Sequence, residues 1–429
     1  MKKNISFPHP RVQIADVIRR IYKTGLTTTT GGNISIREEN GDIWVTPARI
    51  DKGSLNQKDI VCVKKDGTII GPHNPSSEFT FHKAIYDTRP DIKAVIHAHS
   101  PALVSFSIVR KTPNINIIPQ ARHICGPIGY ANYAISGGAK LGEVIAAEFS
   151  KGFKSVILEN HGVVLGGVDL NDAYVRFETL EFVAGAIINA RTIGEPVYTS
   201  DEQIEAWESQ IPADLPEMNH ADHSPDERSI RESISELVRR GCDQGLMIGS
   251  SGTLSVRWKE DDFLITPRNV PLWEIGVEDV IQVRDGKREP GKLPSRALHV
   301  HARIYKENPH INSIIQAQPP HVMAIGVSTA ELNVRVIPES WFFLRDVPKV
   351  EFGKQYDQTG TIANFFSPTA PALIIRNDSI IVTGDKLMQT FERLEIAEFT
   401  ARLMIMGETL GEMVPMNQEQ IDEMIDKFD

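Results

Sequence analysis

The sequence predicts an α/β protein made of two tandem domains, each a central β-sheet covered by helices. Three observations support this fold class. The chain has 429 residues, which exceeds one ordinary domain. A set of motifs recurs in the same order at an offset of 217–220 residues. Helical spacing of apolar residues and short strand-like runs both occur in each copy, a mixture typical of sheets covered by helices.

Five motif pairs define the repeat. They are GGNISIR (31–37) with SGTLSVR (251–257), TPARI (46–50) with TPRNV (266–270), PSSEFTFHKAIY (75–86) with PSRALHVHARIY (294–305), VIHAHSP (95–101) with IIQAQPP (314–320), and LENHGVVLGG (158–167) with IRNDSIIVTG (375–384). A repeat of this length indicates a repeated domain and excludes a short-period solenoid. An acidic, proline-containing segment separates the copies, so we expect domains at 1–199 and 229–429 and a linker at 200–228.

The elements of the first copy follow from local patterns. Residues 12–25 place four apolar side chains at helical spacing, and SISELVRRG (233–241) is the counterpart in the second copy. Short strands NISIRE, DIWVTP and DIVCV come next, and then a helix that starts near Ser76. After a further strand, a helix at KLGEVIAAEFSKG precedes the apolar strand SVILEN. A long helix at 170–194 closes the copy before Pro196.

Composition excludes several classes of function. The net charge is −10 and no long Lys/Arg run is present, so we expect no nucleic-acid partner. No apolar run reaches the roughly 18 residues of a membrane span, so we expect no membrane partner. The N-terminal residues do not resemble a signal peptide, and the three cysteines are scattered singly. Both features favour a reducing compartment, and we expect a cytoplasmic protein.

Three histidines form a candidate metal set. Side chains alternate along a strand, so His97 and His99 in VIHAHSP point to the same face and can reach one metal ion. His161 lies at the end of the strand SVILEN, and three histidines are a common catalytic zinc set with one open position. The alternative for the HxH pair alone is two hydrogen-bonded structural histidines.

Two loops are candidate anion sites. In PSSEFTFH, Ser76 or Ser77 is expected to cap a helix whose free N–H groups suit an anion, and Glu78 falls in the first turn. Simple capping, with Glu78 as an acid that stabilises the helix dipole, is the alternative. In TTTTGGNIS, Gly31 and Gly32 allow close approach of the backbone to a ligand, unless the stretch is an ordinary turn.

GGNISIR, TPxxI, PSSE…H, HAH and NHG, in this order, resemble the class II aldolase/adducin family. The resemblance covers residues 12–197 fully and the second copy in framework only. It implies two tandem class II aldolase-like domains. It also implies a metal-dependent aldolase or lyase that cleaves or forms a C–C bond in a phosphorylated sugar or sugar acid through an enediolate. The implied metal is zinc, with manganese, cobalt or iron as alternatives for the same ligands.

The resemblance also implies roles for individual residues. His97, His99 and His161 are the expected metal ligands, and Glu78 is the expected acid/base. The expected substrate and phosphate ligands are Asn33, Ser76 and Ser77, to which we add Gly32 from its loop and Arg49.

Departures from the family pattern leave the reaction open. Ala48-Arg49 stands where sugar-phosphate aldolases have Thr-Gly, and Arg49 either binds a phosphate or carboxylate or is a surface residue. The aligned segment 117–126 lacks the family's proton-donating tyrosine, for which Arg122 or His123 are candidate substitutes. The alternatives are a 4-epimerase, a decarboxylase of a phosphorylated 3-keto sugar acid, and a non-catalytic adducin-like scaffold. Glu78 favours the aldolase, because the resemblance implies that epimerases of the family have an aspartate at this position.

The second copy is expected to keep the fold and to lack metal and catalysis. Its residues at the corresponding positions are Gln316, Gln318 and Asp378 for the three histidines, and Arg296 and Ala297 for Ser77 and Glu78. If LHVHARIY is a helix, as in the first copy, His299 and His301 point apart, and we expect them to be structural or helix-surface residues. Because the resemblance implies fourfold rings with sites between subunits, we expect a homodimer that forms a pseudo-fourfold ring, or a higher homo-oligomer.

Overall fold

The computed structural model describes residues 8–209, 215–221, 223–249, 251–268, 270–357 and 361–428. The chain divides into two compact units. Unit 1 comprises Met1–Ile115 and Ala121–Ala184, and unit 2 comprises Asn116–Gln120 and Gly185–Asp429. The expected linker at 200–228 lies partly outside the described residues, and its described parts include a helix and the start of another.

Unit 1 alternates helices and strands. In chain order they are α1 (Pro10–Lys23), β1 (Asn33–Arg37), β2 (Ile43–Val45), β3 (Val61–Val63), β4 (Ile69–Ile70), α2 (Phe79–Thr88), β5 (Ala94–Ala98), α3 (Pro101–Ile108), α4 (Pro119–Cys125), β6 (Ile128–Ala131), α5 (Ala139–Ser150), β7 (Ser155–Leu158), β8 (Gly162–Gly167) and α6 (Leu170–Ile193). Two of these helices cross the boundary drawn above, since Pro119 and Gln120 of α4 and the last residues of α6 belong to unit 2.

The strands of unit 1 form one eight-stranded sheet in the order β4-β3-β2-β1-β5-β8-β7-β6. The pairs are antiparallel except for β6 with β7. β5 lies in the middle, between β1 and β8, and all five of its residues are buried. The register places Asn33 of β1 opposite His97 of β5. The sheet therefore brings the first glycine-rich motif next to the histidine pair.

Unit 2 repeats this arrangement. Its elements are α7 (Asp201–Glu208), α8 (Pro225–Asp243), β9 (Thr253–Lys259), β10 (Asp262–Ile265), β11 (Ile281–Arg284), β12 (Lys287–Arg288), α9 (Leu298–Glu307), β13 (Ser313–Ala317), α10 (Pro320–Gly326), α11 (Pro338–Leu344), β14 (Lys349–Val350), β15 (Ala372–Ile375), β16 (Ser379–Gly384), α12 (Leu387–Glu408) and α13 (Gln418–Phe428).

The second sheet has the order β12-β11-β10-β9-β13-β16-β15-β14, the same pattern as the first. Its register is also the same, because Gln316 pairs with Thr253 as His97 pairs with Asn33. The two α/β units, each with a central sheet and covering helices, confirm the predicted fold class. The matching registers make the residue equivalences between the motif pairs a structural fact.

Apolar side chains at the predicted spacing hold the helices to the sheets. In α1, Ile14, Ile18 and Ile21 are buried, as the periodicity predicted. On one face of the first sheet, α2 and α5 contribute Phe81, Ile85, Leu141, Ile145 and Phe149 to a buried cluster with Val95, Val156 and Val164. Burying a side chain of this kind contributes about 1.5–3 kcal/mol.

The start of α2 differs from the prediction. The prediction of a serine-capped helix that starts near Ser76 was wrong in detail, because α2 begins at Phe79 and no side chain caps it. The backbone N–H of Ser76 instead bonds to the Thr46 carbonyl (3.1 Å), and its hydroxyl accepts from the Glu78 N–H (3.3 Å). Pro75 and Ser76 are thus tied to the neighbouring loop, and Glu78 directly precedes the helix.

Two further sequence-based expectations concern the cysteines and membrane-spanning segments. Cys62, Cys125 and Cys242 are all buried free thiols. Among the described helices, none is both long and apolar enough to span a membrane.

Candidate active site

Three imidazoles converge beside the centre of the first sheet. His97 and His99 come from the end of β5 and the residue after it, and His161 comes from the turn between β7 and β8. One ring nitrogen from each lies within 4.8 Å of the others, and the Nε2 atoms of His97 and His99 are 2.9 Å apart. Within the described part of the chain, this is the only such group of three histidine, cysteine or acidic side chains.

Contacts with neighbouring elements hold His97 and His161 in place. His97 Nδ1 donates to the Val163 carbonyl (2.9 Å), which leaves its Nε2 lone pair facing the other histidines. His161 is fixed through its backbone N–H, which donates to Ser107 Oγ (3.2 Å). Ser107 in turn donates to the Leu158 carbonyl at the end of β7 (2.7 Å). These contacts hold the side chains on rigid sheet elements.

Glycines allow the close approach of the loops to the histidine strand. Gly32 has φ +69°, and a Cβ there would lie 2.7 Å from the His97 carbonyl oxygen. A Cβ at Gly162 would lie 2.5 Å from the Ala98 carbonyl oxygen and 2.9 Å from the His99 ring. Both positions therefore require glycine, Gly32 for its backbone conformation and both for lack of space.

Glu78 lies against the imidazoles. Its Oε2 is 3.4 Å from His97 Nε2, and its Oε1 is 3.4 Å from His161 Nε2. Asn33 Nδ2 donates to Oε2 (2.8 Å) and Ser136 Oγ donates to Oε1 (2.6 Å). Each carboxylate oxygen therefore has one hydrogen-bond donor, and the carboxylate is held in a fixed orientation.

Burial sets the protonation states of these groups. It lowers the pKa of His97 to about 3, and it also lowers the pKa of His99 and of His161. Burial raises the pKa of Glu78, but the adjacent His97 and the donors Ser136 and Asn33 outweigh it, so this pKa lies below its usual range. At neutral pH the histidines are neutral with free lone pairs, and Glu78 is ionised.

The expected anion ligands occupy adjoining loops. Ser76 is buried, whereas Ser77 and Arg49 are exposed. An isolated bridge between Pro47 and Pro75 joins the TPAR loop to the PSSE loop. Arg49 has φ 58° and no ion pair with any described residue. Arg122 and His123 lie on the short helix α4.

Asn33 was expected to bind substrate phosphate, and the structure places its side chain between two protein groups. Its amide nitrogen donates to Glu78, and its Oδ1 lies 2.5 Å from His82 Nε2. His82 is fully buried on α2, and burial lowers its pKa to about 3. The neutral His82 ring therefore lies directly behind the Asn33 amide.

Sequence reasoning missed three residues of this site. His82 stands in the PSSE…H motif but received no role there, and its helical spacing from Glu78 was the available signal. Ser136 lies 58 positions from Glu78 in an unpatterned loop, and Ser107 lies within α3. Nothing local in the sequence marks these two serines, because only the fold brings them to the site.

The equivalent place in unit 2 holds amides and a carboxyl group. Gln316 Nε2 donates to Ser379 Oγ (2.9 Å) and to Asp378 (3.3 Å), and Gln318 Nε2 donates to the Asp378 carbonyl (2.6 Å). Burial raises the pKa of the Asp378 carboxyl group. This network uses the amide donors of both glutamines, and a lone buried carboxyl group is a poor substitute for three imidazoles.

The unit 1 residues fit a divalent transition metal. The donor set is three neutral imidazoles, and the one buried deepest already directs its lone pair inward through the Val163 contact. Imidazole sets suit zinc, manganese, cobalt and iron, and three protein ligands leave a position for substrate. The site can therefore hold a metal ion next to an ionised carboxylate.

Comparison with known proteins agrees with this fold. The chain matches the family described as "Class II Aldolase and Adducin N-terminal domain" twice, over residues 12–188 and 232–405. These matches cover most of the chain, and the protein therefore belongs to the class II aldolase/adducin family. The resemblance seen in the motifs is confirmed.

Individual relatives match about half of the chain or less. An L-fuculose phosphate aldolase of Methanococcus maripaludis is 34% identical over 168 residues, 39% of this chain and 90% of the relative. A 5-deoxy-D-ribulose 1-phosphate aldolase of Bacillus thuringiensis is 31% identical over 199 residues, 46% of this chain and 92% of the relative. A 3-oxo-tetronate 4-phosphate decarboxylase of Haemophilus influenzae is 30% identical over 197 residues, 45% and 92% respectively.

Proposed function

We propose that this protein is a metal-dependent lyase that forms or cleaves a C–C bond in a phosphorylated sugar or sugar acid through an enediolate. The observation that carries the proposal is the convergence of His97, His99 and His161 around one point, with the Glu78 carboxylate 3.4 Å from two of them. A non-catalytic scaffold has no need for this combination. Zinc is the proposed metal, because three histidines with an open position are typical of catalytic zinc.

The bound metal would supply Lewis-acid polarisation of a substrate carbonyl. Glu78 is the proposed base and acid. In the synthetic direction its carboxylate takes the proton from the hydroxyl-bearing carbon next to the carbonyl, and the C–H electron pair becomes the enediolate. In cleavage Glu78 takes the proton of the hydroxyl group that becomes the aldehyde, the electron pair of the broken C–C bond becomes the enediolate, and Glu78 then gives the proton to the enediolate carbon. The donors Asn33 and Ser136 keep the carboxylate aimed at the site.

The substrate phosphate is proposed to bind at the adjoining loops. The hydroxyl groups of Ser76 and Ser77, the backbone at Gly32 and the Arg49 guanidinium are its proposed ligands. Asn33 remains a candidate substrate ligand, although its amide already contacts Glu78. Arg49 is exposed, forms no ion pair within the described part of the chain, and lies on a loop tied to Pro75, so it is well placed to pair with an anion.

Metal analysis is the first test. Purified wild-type protein should contain about one zinc per chain, and His97→Ala should lose it. Gln316→Ala is the matched control at the same sheet position in unit 2, and its metal content should equal that of wild type. A metal-free wild type, or equal metal content in His97→Ala, rejects the metal-dependent enzyme and leaves the adducin-like scaffold.

Substrate assays test the chemistry. Incubation of the metal-loaded chain with dihydroxyacetone phosphate and a panel of aldehydes should give aldol products. Glu78→Gln should lower kcat about 100–10,000-fold, the usual contribution of a positioned acid/base, with its metal retained. Glu143→Gln, an exposed glutamate paired with Lys140, is the control and should be fully active.

Decarboxylation of a phosphorylated 3-keto sugar acid is the second candidate. The relative named 3-oxo-tetronate 4-phosphate decarboxylase favours it, and Arg49 is a cation that could bind the carboxylate. If the protein releases CO2 from such a substrate and gives no aldol products, the decarboxylase is the correct assignment and the aldolase is excluded. Epimerisation of a ketose phosphate at C4 without cleavage would point to the 4-epimerase.

Organisation and assembly are part of the same proposal. The proposed domains are 1–199 and 229–429 with a linker at 200–228, and limited proteolysis should cut first within 200–228. The chain is proposed to form a homodimer or a higher homo-oligomer in the cytoplasm. Light scattering at micromolar concentration should give at least twice the monomer mass, and a monomer would exclude it.

A further inference from the structure

A buried chain of hydrogen bonds leads from the core of unit 1 to Glu78. Tyr86 Oη lies 2.7 Å from Ser35 Oγ, and Ser35 Oγ lies 2.7 Å from His82 Nδ1. His82 Nε2 lies 2.5 Å from Asn33 Oδ1, and Asn33 Nδ2 lies 2.8 Å from Glu78 Oε2. All five residues are buried. We call them the Glu78 relay.

The orientation of the Asn33 amide sets the direction of the bonds between Ser35 and Glu78. Its nitrogen faces Glu78 Oε2 and its oxygen faces His82 Nε2, and an amide oxygen only accepts. His82 must then carry its proton on Nε2, and Nδ1 must accept from Ser35. The Ser35 hydroxyl is thereby used as a donor to His82. The Tyr86 hydroxyl lies 2.7 Å from Ser35 Oγ and also donates to the Ser35 carbonyl (3.0 Å). The protons of Ser35, His82 and Asn33 point toward Glu78, and burial strengthens these bonds.

Unit 2 keeps only the first half of the relay. Tyr305 Oη and His301 Nδ1 each lie 2.8 Å from Ser255 Oγ, close to the 2.7 Å of their counterparts in unit 1. The Asn33 position is Thr253, whose hydroxyl contacts Ser295, and the Glu78 position is Ala297. His301 Nε2 has no hydrogen-bond partner among the described residues. The Tyr–Ser–His part therefore packs in both units, and the link to a carboxylate exists in unit 1 alone.

We propose that His82 is a positioning residue for the reaction of Glu78: through its Nε2–H it fixes the Asn33 amide, which in turn fixes the carboxylate against the metal site. The inference rests on the proposed function for its kinetic consequences. Without the Nε2–H donor, the Asn33 amide can rotate and present its oxygen to Glu78, which repels the carboxylate. The ring nitrogens of His82 contact Ser35 and Asn33, so His82 acts on Glu78 through the Asn33 amide.

Two substitutions at His82 separate the role of each ring nitrogen. In His82→Gln the amide nitrogen of the new glutamine is as many bonds from Cβ as Nε2 of the histidine was. The variant therefore keeps a donor to Asn33. In His82→Asn the amide of the new asparagine is only as many bonds from Cβ as Nδ1 of the histidine was. This variant keeps the contact with Ser35 and loses the donor to Asn33. His82→Asn should lower kcat of the zinc-loaded chain about 10–100-fold with little change in KM, whereas His82→Gln should recover most of kcat.

His301 provides the matched control. His301→Asn and His301→Gln remove an equally buried ring, whose partner Ser255 is the counterpart of Ser35. They should therefore lower Tm about as much as the His82 variants do. Neither should change kcat, because His301 has no link to a carboxylate. Equal kcat losses at both positions, or a folded His82→Asn variant with wild-type kcat, would overturn the proposal.

The tautomer of His82 gives a readout that needs no activity. In zinc-loaded protein with 15N-labelled histidine, the ring should show a protonated Nε2 and an unprotonated Nδ1, assigned by the signal that disappears in His82→Gln. In His97→Ala, which lacks metal, the same tautomer should persist. A protonated Nδ1 would contradict the relay even in an active enzyme. The predicted tautomer in a protein without lyase activity would instead count against the proposed function alone.

Discussion

At the scale of single residues, the two units differ where a histidine ring needs room. Gly162 opens β8, and Ser379 stands at the same place in β16. A Cβ at Gly162 would collide with the Ala98 carbonyl and the His99 ring. In unit 2 the serine has a use, since its hydroxyl accepts from the Gln316 amide. The residue at this position therefore follows from what stands on the neighbouring strand.

Gly162→Ala should lower both stability and metal affinity. The added methyl group has no space, and overpacking of this kind costs about 1–3 kcal/mol. Thermal denaturation should show the lower Tm, and a zinc titration should show weaker binding because the His99 ring is displaced. Ser379→Ala, the matched change in unit 2, should leave zinc affinity unchanged. Wild-type zinc affinity in Gly162→Ala would contradict the packing argument.

Lys52 is a second position where a single side chain matters. Its side chain is 1% exposed and donates to the Pro47 carbonyl (3.2 Å), and no described residue forms an ion pair with it. Burial lowers the pKa of Lys52 to about 8, from the 10.5 of an exposed lysine. The folded state therefore loses this proton at lower pH than the unfolded state does.

Lys52→Met should stabilise the protein near pH 7 by at most about 3.5 kcal/mol, since each unit of pKa shift corresponds to about 1.4 kcal/mol. Between pH 8 and 10.5 the unfolded state binds more protons, so wild-type stability rises with pH in this window. The gain from the substitution should shrink accordingly. Urea denaturation at pH 7 and pH 9.5 measures the difference in the free energy of unfolding between Lys52→Met and wild type. An equal difference at both pH values would refute the lowered pKa of Lys52.

At the scale of elements, each unit uses a glutamate from its long helix to cap a short one. Glu181 of α6 accepts from the backbone N–H groups of Ala102 (2.8 Å) and Leu103 (3.0 Å) at the start of α3. Glu398 of α12 accepts from those of His321 and Val322 at the start of α10. Both short helices directly follow the HxH or QxQ pair, which begins in β5 or β13 and ends just after that strand. The caps thus fix the chain directly after those pairs.

Glu181→Ala and Glu398→Ala should each destabilise the protein by about 1–3 kcal/mol, because buried N–H groups lose their partner. Only Glu181→Ala should also weaken zinc binding, since Ser100, which donates to Glu181 (2.6 Å), directly follows His99. Thermal denaturation with and without added zinc measures both effects. Loss of zinc affinity in the Glu398 variant would show that the effect is not local to unit 1.

At the scale of the whole molecule, the chain consists of two units with the same strand order and register, and one potential metal site among the described residues. The second unit shows which features the fold itself needs. Both units keep the buried Ser–His–Tyr contacts and the glutamate caps. The three imidazoles and Glu78 occur in unit 1 alone, so folding does not account for them.

Removal of the metal should therefore destabilise unit 1. A ligand present at about 1,000 times its Kd stabilises the folded state by about 4 kcal/mol, and a chelator removes this contribution. Calorimetry with and without EDTA should show a metal-dependent transition in wild type and in Gln316→Ala. His97→Ala should show none. A chelator shift that persists in His97→Ala would place the metal elsewhere.

Much of this molecule could be predicted from local patterns. The motif offset gave the two units, and the alternation of side chains in VIHAH placed His97 and His99 on one face. The predicted start of α2 was wrong, because the Ser76 backbone bonds to Thr46, which lies in a loop distant in sequence. The contacts of Glu78 with Asn33 and Ser136 span 45 and 58 residues, and no local pattern encodes such separations.

The sequence by itself determined the repeat, the fold class and the identity of the imidazole set, because periodicity and residue type are local properties of a chain. Only the tertiary structure decided that Asn33 faces Glu78 and His82, and that Ser136 closes the other side of the carboxylate. The physical reason is sheet register. Asn33 meets His97 because β1 pairs with β5 at that residue, and a shift by one position would turn its side chain to the opposite face.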